Sequence, residues 1–191
     1  MITVAMPVHQ ARIDSGYYLQ AIESIKSQSI HENLHVDVKA AIALDDKKEG
    51  AAVTRQRALD LVDTPYVAFL DSDDYFYWAH LETQYRLLIE NNADYAYSWF
   101  DGNNPFPMHR GRQMDINNPH HTTMTVMVKT ELAKEARFVR NGNPNFGNED
   151  YMFLLKCIEL GAKFIGTEKI TWHYRVHAGN TSGLPNKGDA K

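Results

Sequence analysis

Short, mainly apolar runs punctuate the first hundred residues at 2–8, 36–44, 66–70 and 93–100. Their length and their β-branched and aromatic content predict strands. Between them, apolar positions recur at helical spacing. Residues 17–29 place Leu19, Ile22 and Ile25 on one face, with Asp14 or Ser15 available as cap. Residues 51–62 offer Val53, Leu59 and Val62 for packing, and a helix opening near Trp78 carries a stripe of Trp78, Leu81, Tyr85 and Leu88. That stripe is expected to be core. Strand and helix alternate with short connections, which predicts an α/β fold: a mostly parallel central sheet with helices on both faces, in one compact domain. The run at 66–70 is apolar at every position, as in a central strand covered on both sides.

The alternation stops at residue 101. Residues 101–121 hold three prolines, two glycines and four asparagines without a period. So long an irregular segment in a small domain is either functional or an insertion. Beyond it the pattern predicts a strand at 122–128, a helix at 130–136, a Gly- and Asn-rich turn at 141–148 and a helix at 149–160 with Met152, Leu155 and Ile158 inward. Short strands follow at 163–167 and 172–176, and the polar stretch from Gly179 is expected to fray.

Composition changes this picture little. The 191 residues are 43% hydrophobic and 23% charged, ordinary for a globular domain. A net charge of −4 shows no electrostatic footprint for nucleic acid or anionic membrane. The single cysteine, Cys157, cannot form an internal disulfide, is expected to face a helix interior, and fits a reducing, cytoplasmic location. No run is long enough to cross a membrane, and the start lacks a basic-then-apolar leader pattern, so neither anchor nor leader is expected.

The chemistry concentrates at strand ends. The 66–70 run stops at Asp71, Ser72, Asp73 and Asp74, three carboxylates within four residues. A helix cap needs one acid or one serine. Three acids repel one another, and a bound cation relieves that repulsion. The 36–44 run ends in Asp45 and Asp46, and in a parallel sheet both acid sets project from the same edge, where ligands of open α/β sheets gather. Glu149 and Asp150 open the last long helix, and Trp172-His173-Tyr174-Arg175-Val176-His177 forms a further polar cluster. Carboxylates with an imidazole suit Mn²⁺ or Mg²⁺. Arg175, and likewise Arg55 and Arg57, offer planar forks suited to phosphate.

These segments, in this order, resemble the family 2 glycosyltransferases over nearly the whole chain. Val4-Ala5-Met6-Pro7-Val8-His9-Gln10 is similar to the family's first strand and its Pro-containing turn. The helix through Ser24-Ile25 and Gln28-Ser29 is similar to its Ser-Ile…Gln-Ser helix. Asp45-Asp46 resembles the acidic pair that reads the base and ribose, although Lys47-Lys48 replaces the usual Gly-Ser. Gly50 through Arg55-Gln56 resembles the Gly…Ala-Arg-Asn segment, with Gln56 in place of Asn. Asp71-Ser72-Asp73 matches the metal-binding Asp-x-Asp motif, Glu149-Asp150 resembles the pair that supplies the base, and Tyr174-Arg175…His177…Ser182 resembles the family's ending.

The resemblance implies a GT-A fold over residues 1–183, with a nucleotide-sugar-binding half (1–100), an acceptor and catalytic half (101–183) and a flexible tail (184–191). It implies transfer of a sugar, with inversion, from a nucleotide-diphosphate sugar, a UDP-sugar foremost. The acceptor is a glycan, a protein or a modified nucleobase. Asp73 and His177 are the expected ligands of Mn²⁺ or Mg²⁺, with Asp71 and Asp74 on the metal or the ribose. Pro7, Asp45, Asp46, Arg55, Asp71, Ser72 and Arg175 are expected to hold the nucleotide sugar, Asp150 to act as base, and Glu149 to support it. Three rival classes stand beside this reading. A sugar-phosphate nucleotidyltransferase of related sheet would carry a Gly-rich phosphate loop after the first strand, which is missing. A phosphatase with an Asp-x-Asp nucleophile would carry Thr or Val next, where Asp74 stands. A non-catalytic nucleotide-sugar-binding module would lose the base, and Asp150 is present.

Overall fold

The computed structural model describes residues 1–102, 110–120, 122–139 and 149–177. The turn expected at 141–148, most of the first part of the 101–121 segment, and the tail lie outside the described residues. Seven strands form one sheet in the order β2-β1-β3-β6-β5-β7-β4. They are β1 (Ile2–Val8), β2 (Val38–Leu44), β3 (Tyr66–Phe69), β4 (Tyr75–Phe76), β5 (Tyr95–Gly102), β6 (Val126–Lys129) and β7 (Phe164–Tyr174). The helices are α1 (Gln10–Asp14), α2 (Tyr17–Lys26), α3 (Ile30–Leu34), α4 (Ala51–Asp60), α5 (His80–Glu90), α6 (Thr130–Ala136) and α7 (Glu149–Glu159). Strands β2, β1, β3, β5 and β7 share one direction; β6 is antiparallel to β3 and β5, and β4 is antiparallel to β7.

The sheet is covered on both sides, as its apolar runs require. One face packs Ala21 and Ile25 of α2, Ile30 of α3 and Leu81 and Leu88 of α5 against Val4, Met6, Leu70 and Trp172. The other packs Ala58 and Leu59 of α4, Ala133 of α6 and Phe153, Leu154 and Cys157 of α7 against Val67, Phe69, Tyr95 and Val126. Cys157 is fully buried, and loss of hydration pushes its thiol up to about 12, so it stays protonated. Proline is tolerated in the central strand β1 for a local reason. The β3 pairing ends at Ala5↔Phe69, so by Pro7 no β3 ladder remains to receive the missing N–H.

Several expectations need correction. Phe164–Tyr174 forms one strand rather than two: exposed Glu168 and Lys169 stay in β7 as extra residues at a register shift against β5. The helix near Trp78 starts at His80, so Trp78 precedes it and is 56% exposed, while His80 and Gln84 join Leu81 and Leu88 inside. In α7 the inward stripe is Phe153, Leu154 and Cys157; Met152 is exposed, and Leu155 and Ile158 lie at the rim. Leu19 is exposed on α2, whose N-cap is Gly16; Asp14 ends the separate helix α1.

Candidate active site

The three acids after β3 are held in a turn, closed by Asp74 N–H donating to the Asp71 carbonyl (3.0 Å), and each carboxylate meets a different partner. Asp71 faces Arg55: Nη2 lies 2.7 Å from its Oδ1. Asp73 receives Arg12 of α1, whose Nε is 2.8 Å from Oδ2, and His177, whose Nε2 is 3.0 Å from the same oxygen. Asp74 is buried and accepts the backbone N–H of Arg175 (2.8 Å). Burial, reinforced by repulsion from Asp73 and Asp71, raises the Asp74 carboxyl well above its ordinary range. Asp74 therefore ties the turn to the chain after β7, while Asp73 points at the cations. Ser72 is buried within the turn.

Arg55 explains why α4 shows so weak an apolar pattern. This helix turns Thr54, Arg55 and Gln56 inward along with Ala58 and Leu59. The Arg55 side chain is 4% exposed and bridges two carboxylates, Asp71 and Glu149 of α7, the latter at 3.1 Å from Nη1. Burial pulls its pKa down, but Asp71 and Glu149 pull harder in the other direction, so the guanidinium stays charged. One buried cation thus joins the end of β3 to the start of α7. Asp150, half-buried beside Glu149, accepts the Tyr151 N–H (2.8 Å) in the first turn of α7.

Arg175 lies over the Tyr17 ring at 4.3 Å, donates from Nε to the Asp73 carbonyl (2.8 Å) and from Nη2 to Gln20. His177 also meets the Tyr17 ring, with centroids 5.3 Å apart. The acids after β2 behave differently. Asp45 is buried, and its two oxygens accept the N–H groups of Glu49 (2.8 Å) and Gly50 (3.0 Å). Gly50, at φ 93°, makes that bend without the strain of a side chain. Asp46 is exposed, 3.7 Å from Arg57. Pro7 is half-buried on β1 near this edge.

The structure thus gathers Asp71, Asp73, Arg175, His177, Arg55 and Glu149 into one connected cluster, next to Asp150. It leaves Asp45 and Asp46 in a separate contact set around Arg57. Sequence reasoning passed over Arg12, Tyr17 and Gln20, which carry no pattern of their own in the stretch after β1. It noted His173 only as part of a polar cluster.

The Asp73–His177 pair fits a divalent cation. Asp73 and His177 offer a carboxylate oxygen and an imidazole nitrogen of the kinds that hold a divalent cation, Nε2 and Oδ2 3.0 Å apart, and the same oxygen also takes Arg12 Nε at 2.8 Å. Among the described residues, no three His, Cys, Asp or Glu side chains converge on one point. A cation held by Asp73 and His177 would complete its shell with water and ligand oxygens.

The family model for glycosyl transferase family 2 matches residues 37–156. The chain belongs to glycosyltransferase family 2. Its fold is GT-A. The chain is 26% identical over 188 residues to an uncharacterized glycosyltransferase of Haemophilus influenzae, covering 83% of this chain and 72% of that protein. It is 28% identical over 141 residues to the Escherichia coli UDP-Glc:alpha-D-GlcNAc-diphosphoundecaprenol beta-1,3-glucosyltransferase WfaP, covering 70% of this chain and 55% of the relative. Among solved structures, S. aureus TarS 1–349 in complex with UDP-GlcNAc superposes with a TM-score of 0.74 at 17% identity, over 94% of this chain and 60% of that one. Mannosyltransferase PcManGT from Pyrobaculum calidifontis, in complex with GDP-Man and Mn²⁺, gives 0.68 at 13%, over 94% and 58%. The chain thus spans little more than half of WfaP and of these two structures. No helix among the described residues is long and apolar enough to cross a membrane.

Proposed function

We propose that this family 2 protein is a metal-dependent, inverting glycosyltransferase that moves a sugar from a UDP-sugar to an acceptor hydroxyl. The observation that carries the reading is the convergence of Asp73 and His177 at 3.0 Å, tied through Asp71, Arg55 and Glu149 to the helix that bears Asp150. A bound Mn²⁺ or Mg²⁺ supplies neutralisation of the charge that develops on the diphosphate leaving group. The residues do the rest. Arg175, lying on Tyr17 and hydrogen-bonded to the turn, presents its guanidinium to the diphosphate. Asp46, exposed just after β2 and 3.7 Å from Arg57, faces the ribose or base, while Asp45 shapes the bend that leads into α4. Asp150 takes the proton from the acceptor hydroxyl as its oxygen forms a bond to the anomeric carbon and the bond from that carbon to the phosphate oxygen breaks. Arg55 holds Glu149, and with it the start of α7, at a fixed distance from the acid turn. The names of TarS and WfaP, one in complex with UDP-GlcNAc and the other using UDP-Glc, support a UDP-sugar donor.

Titration calorimetry with UDP in Mn²⁺ and in chelator tests the reading. Binding at least about tenfold tighter with Mn²⁺ is expected. A panel of UDP-sugars and GDP-Man should then yield metal-dependent UDP or GDP release, and NMR of the transfer product should show the anomeric configuration opposite to the donor's. Equal UDP affinity with and without metal removes the metal from the reading; retained configuration removes direct displacement.

A further inference from the structure

At the far edge of the sheet, three strands place a row of side chains at one rank. Tyr75 of β4 pairs with His173 of β7, and His173 pairs with Asp101 of β5. Residues opposite one another in neighbouring strands share a face. The adjoining rank holds Phe76, Trp172 and Phe100, all buried in the core beneath α2 and α5. By alternation, Tyr75, His173 and Asp101 face the other side of the sheet.

The row is bonded into a fixed unit. The Tyr75 and His173 rings stack with centroids 4.8 Å apart and planes 22° from parallel. His173 Nδ1 lies 2.9 Å from Asp101 Oδ1. Tyr77 O–H donates to that same oxygen at 2.6 Å, and its ring meets Tyr75 edge-on at 5.8 Å. Asp101 Oδ2 accepts from no described residue, and the Asp101 side chain is 48% exposed. Gly102 follows, so close to β7 that a Cβ there would collide with the Tyr174 carbonyl; this fixes the height of Asp101 over β7. At its other end the row reaches the acid turn, because the Arg175 guanidinium sits 5.6 Å from the Tyr75 ring centre.

A carboxylate clamped through one oxygen and open through the other, flanked by half-buried aromatic rings, matches one ligand chemistry well. Sugar hydroxyls donate to a fixed carboxylate, and the C–H face of a pyranose packs on an aromatic ring. We infer that Tyr75, Tyr77, His173 and Asp101 form the acceptor subsite and that the acceptor is a carbohydrate. One acceptor hydroxyl donates to Asp101 Oδ2, and the sugar lies against Tyr77. This rests on the glycosyltransferase reading and names the substrate class of its acceptor side.

The test uses the 191-residue chain with UDP and Mn²⁺. The probes are p-nitrophenyl glycosides of glucose, galactose, mannose and N-acetylglucosamine in both anomers, read by saturation-transfer NMR and by titration. At least one glycoside should bind. Asp101→Asn should weaken it about tenfold or more, the scale of a hydrogen bond to a charged group. Tyr77→Phe, which releases the carboxylate from its clamp, should weaken it by about threefold. UDP affinity should stay within about twofold in both variants, because neither residue contacts the acid turn. If Asp101→Asn melts early, Tyr77→Phe carries the test. Equal glycoside binding by both variants, or no glycoside binding by a protein that binds UDP normally, overturns the acceptor inference and leaves the glycosyltransferase reading standing. Failure of the wild-type chain to bind UDP overturns both.

Discussion

At the end of β2, Asp45, Asp46 and Glu49 are answered by Arg57 and by backbone N–H groups four and five residues along the chain. At the end of β3, Asp71, Asp73 and Asp74 are answered by side chains and backbone 16, 104 and 101 residues away. The two acid sets look alike in sequence. The first spends its carboxylates on the local bend into α4. The second is satisfied only when α1, α4 and the chain after β7 have all arrived. Carboxylates whose partners are local shape a loop; carboxylates whose partners come from distant segments tie those segments together at one strand end.

Four experiments sharpen or break that contrast. Asp73→Asn should abolish the Mn²⁺-dependent gain in UDP affinity and cut turnover by about 10³-fold or more, since the metal stabilises the transition state by several kcal/mol. Asp46→Asn should weaken UDP binding by less than about tenfold and keep its metal dependence. Calorimetry on the two variants reads both numbers, and a lost metal response in Asp46→Asn would erase the contrast. Asp150→Asn should keep UDP and metal binding and lower turnover by roughly 10²–10⁴, the scale of a lost positioned base. Near-normal initial rates in that variant would remove Asp150 from the chemistry.

Arg55→Met should cost about 3–5 kcal/mol in urea denaturation, because it strands Asp71 and Glu149 without their buried cation. Arg57→Met, removing a half-exposed cation from the other set, should cost under about 1 kcal/mol. Equal costs would mean that the two strand ends are built alike after all.

A separate effect concerns acid, and it must be separated before any pH profile is assigned to the site. His80 is buried, stacked on Phe76 and bonded through Nδ1 to Thr171, and burial lowers its pKa from 6.5 to about 3. Between those values the unfolded chain binds a proton that the folded chain refuses. Its contribution is therefore full above pH 6.5 and is lost as pH falls toward 3, by at most about 1.4 kcal/mol per pH unit. Urea melts between about pH 7 and pH 5 should show a shallower decline in His80→Gln than in the wild type. Parallel declines would mean that His80 is already neutral, or equally hydrated, in the unfolded reference.

Much of the fold was legible in the chain because apolar runs and helical stripes are local signals. The strands β1, β2, β3 and β5 and the helix at residues 130–136 follow from them directly. The direction of β6 did not, since nothing in Val126–Lys129 records whether the preceding segment returns above or below the sheet. The unity of β7 was hidden because its polar middle reads as a break, and the extra residues that the register against β5 leaves over lie in β7 itself. The acid turn, Arg175 and His177 were visible as charge crowded where a strand ends. Arg12 was not, because a lone arginine on a five-residue helix has no pattern, and only the return of the chain past Asp73 gives it a role. Arg55 stood out as a phosphate-type cation, but its burial between two carboxylates depends on α7, 94 residues later.

The bond from Arg175 to Asp74 closes a span of 101 residues. During synthesis at about 5–20 residues per second, the acid turn is made roughly 5–20 s before the Arg175 N–H that Asp74 accepts. For that interval Arg12 and Arg55, both made before the turn, can already meet Asp73 and Asp71, while Asp74 still lacks the Arg175 N–H that it accepts in the folded chain. Closing so long a loop is also slow and entropically costly. The site is therefore among the last parts of the nascent chain to settle, and a ribosome-bound chain stalled before Arg175 should leave β3 open to proteolysis.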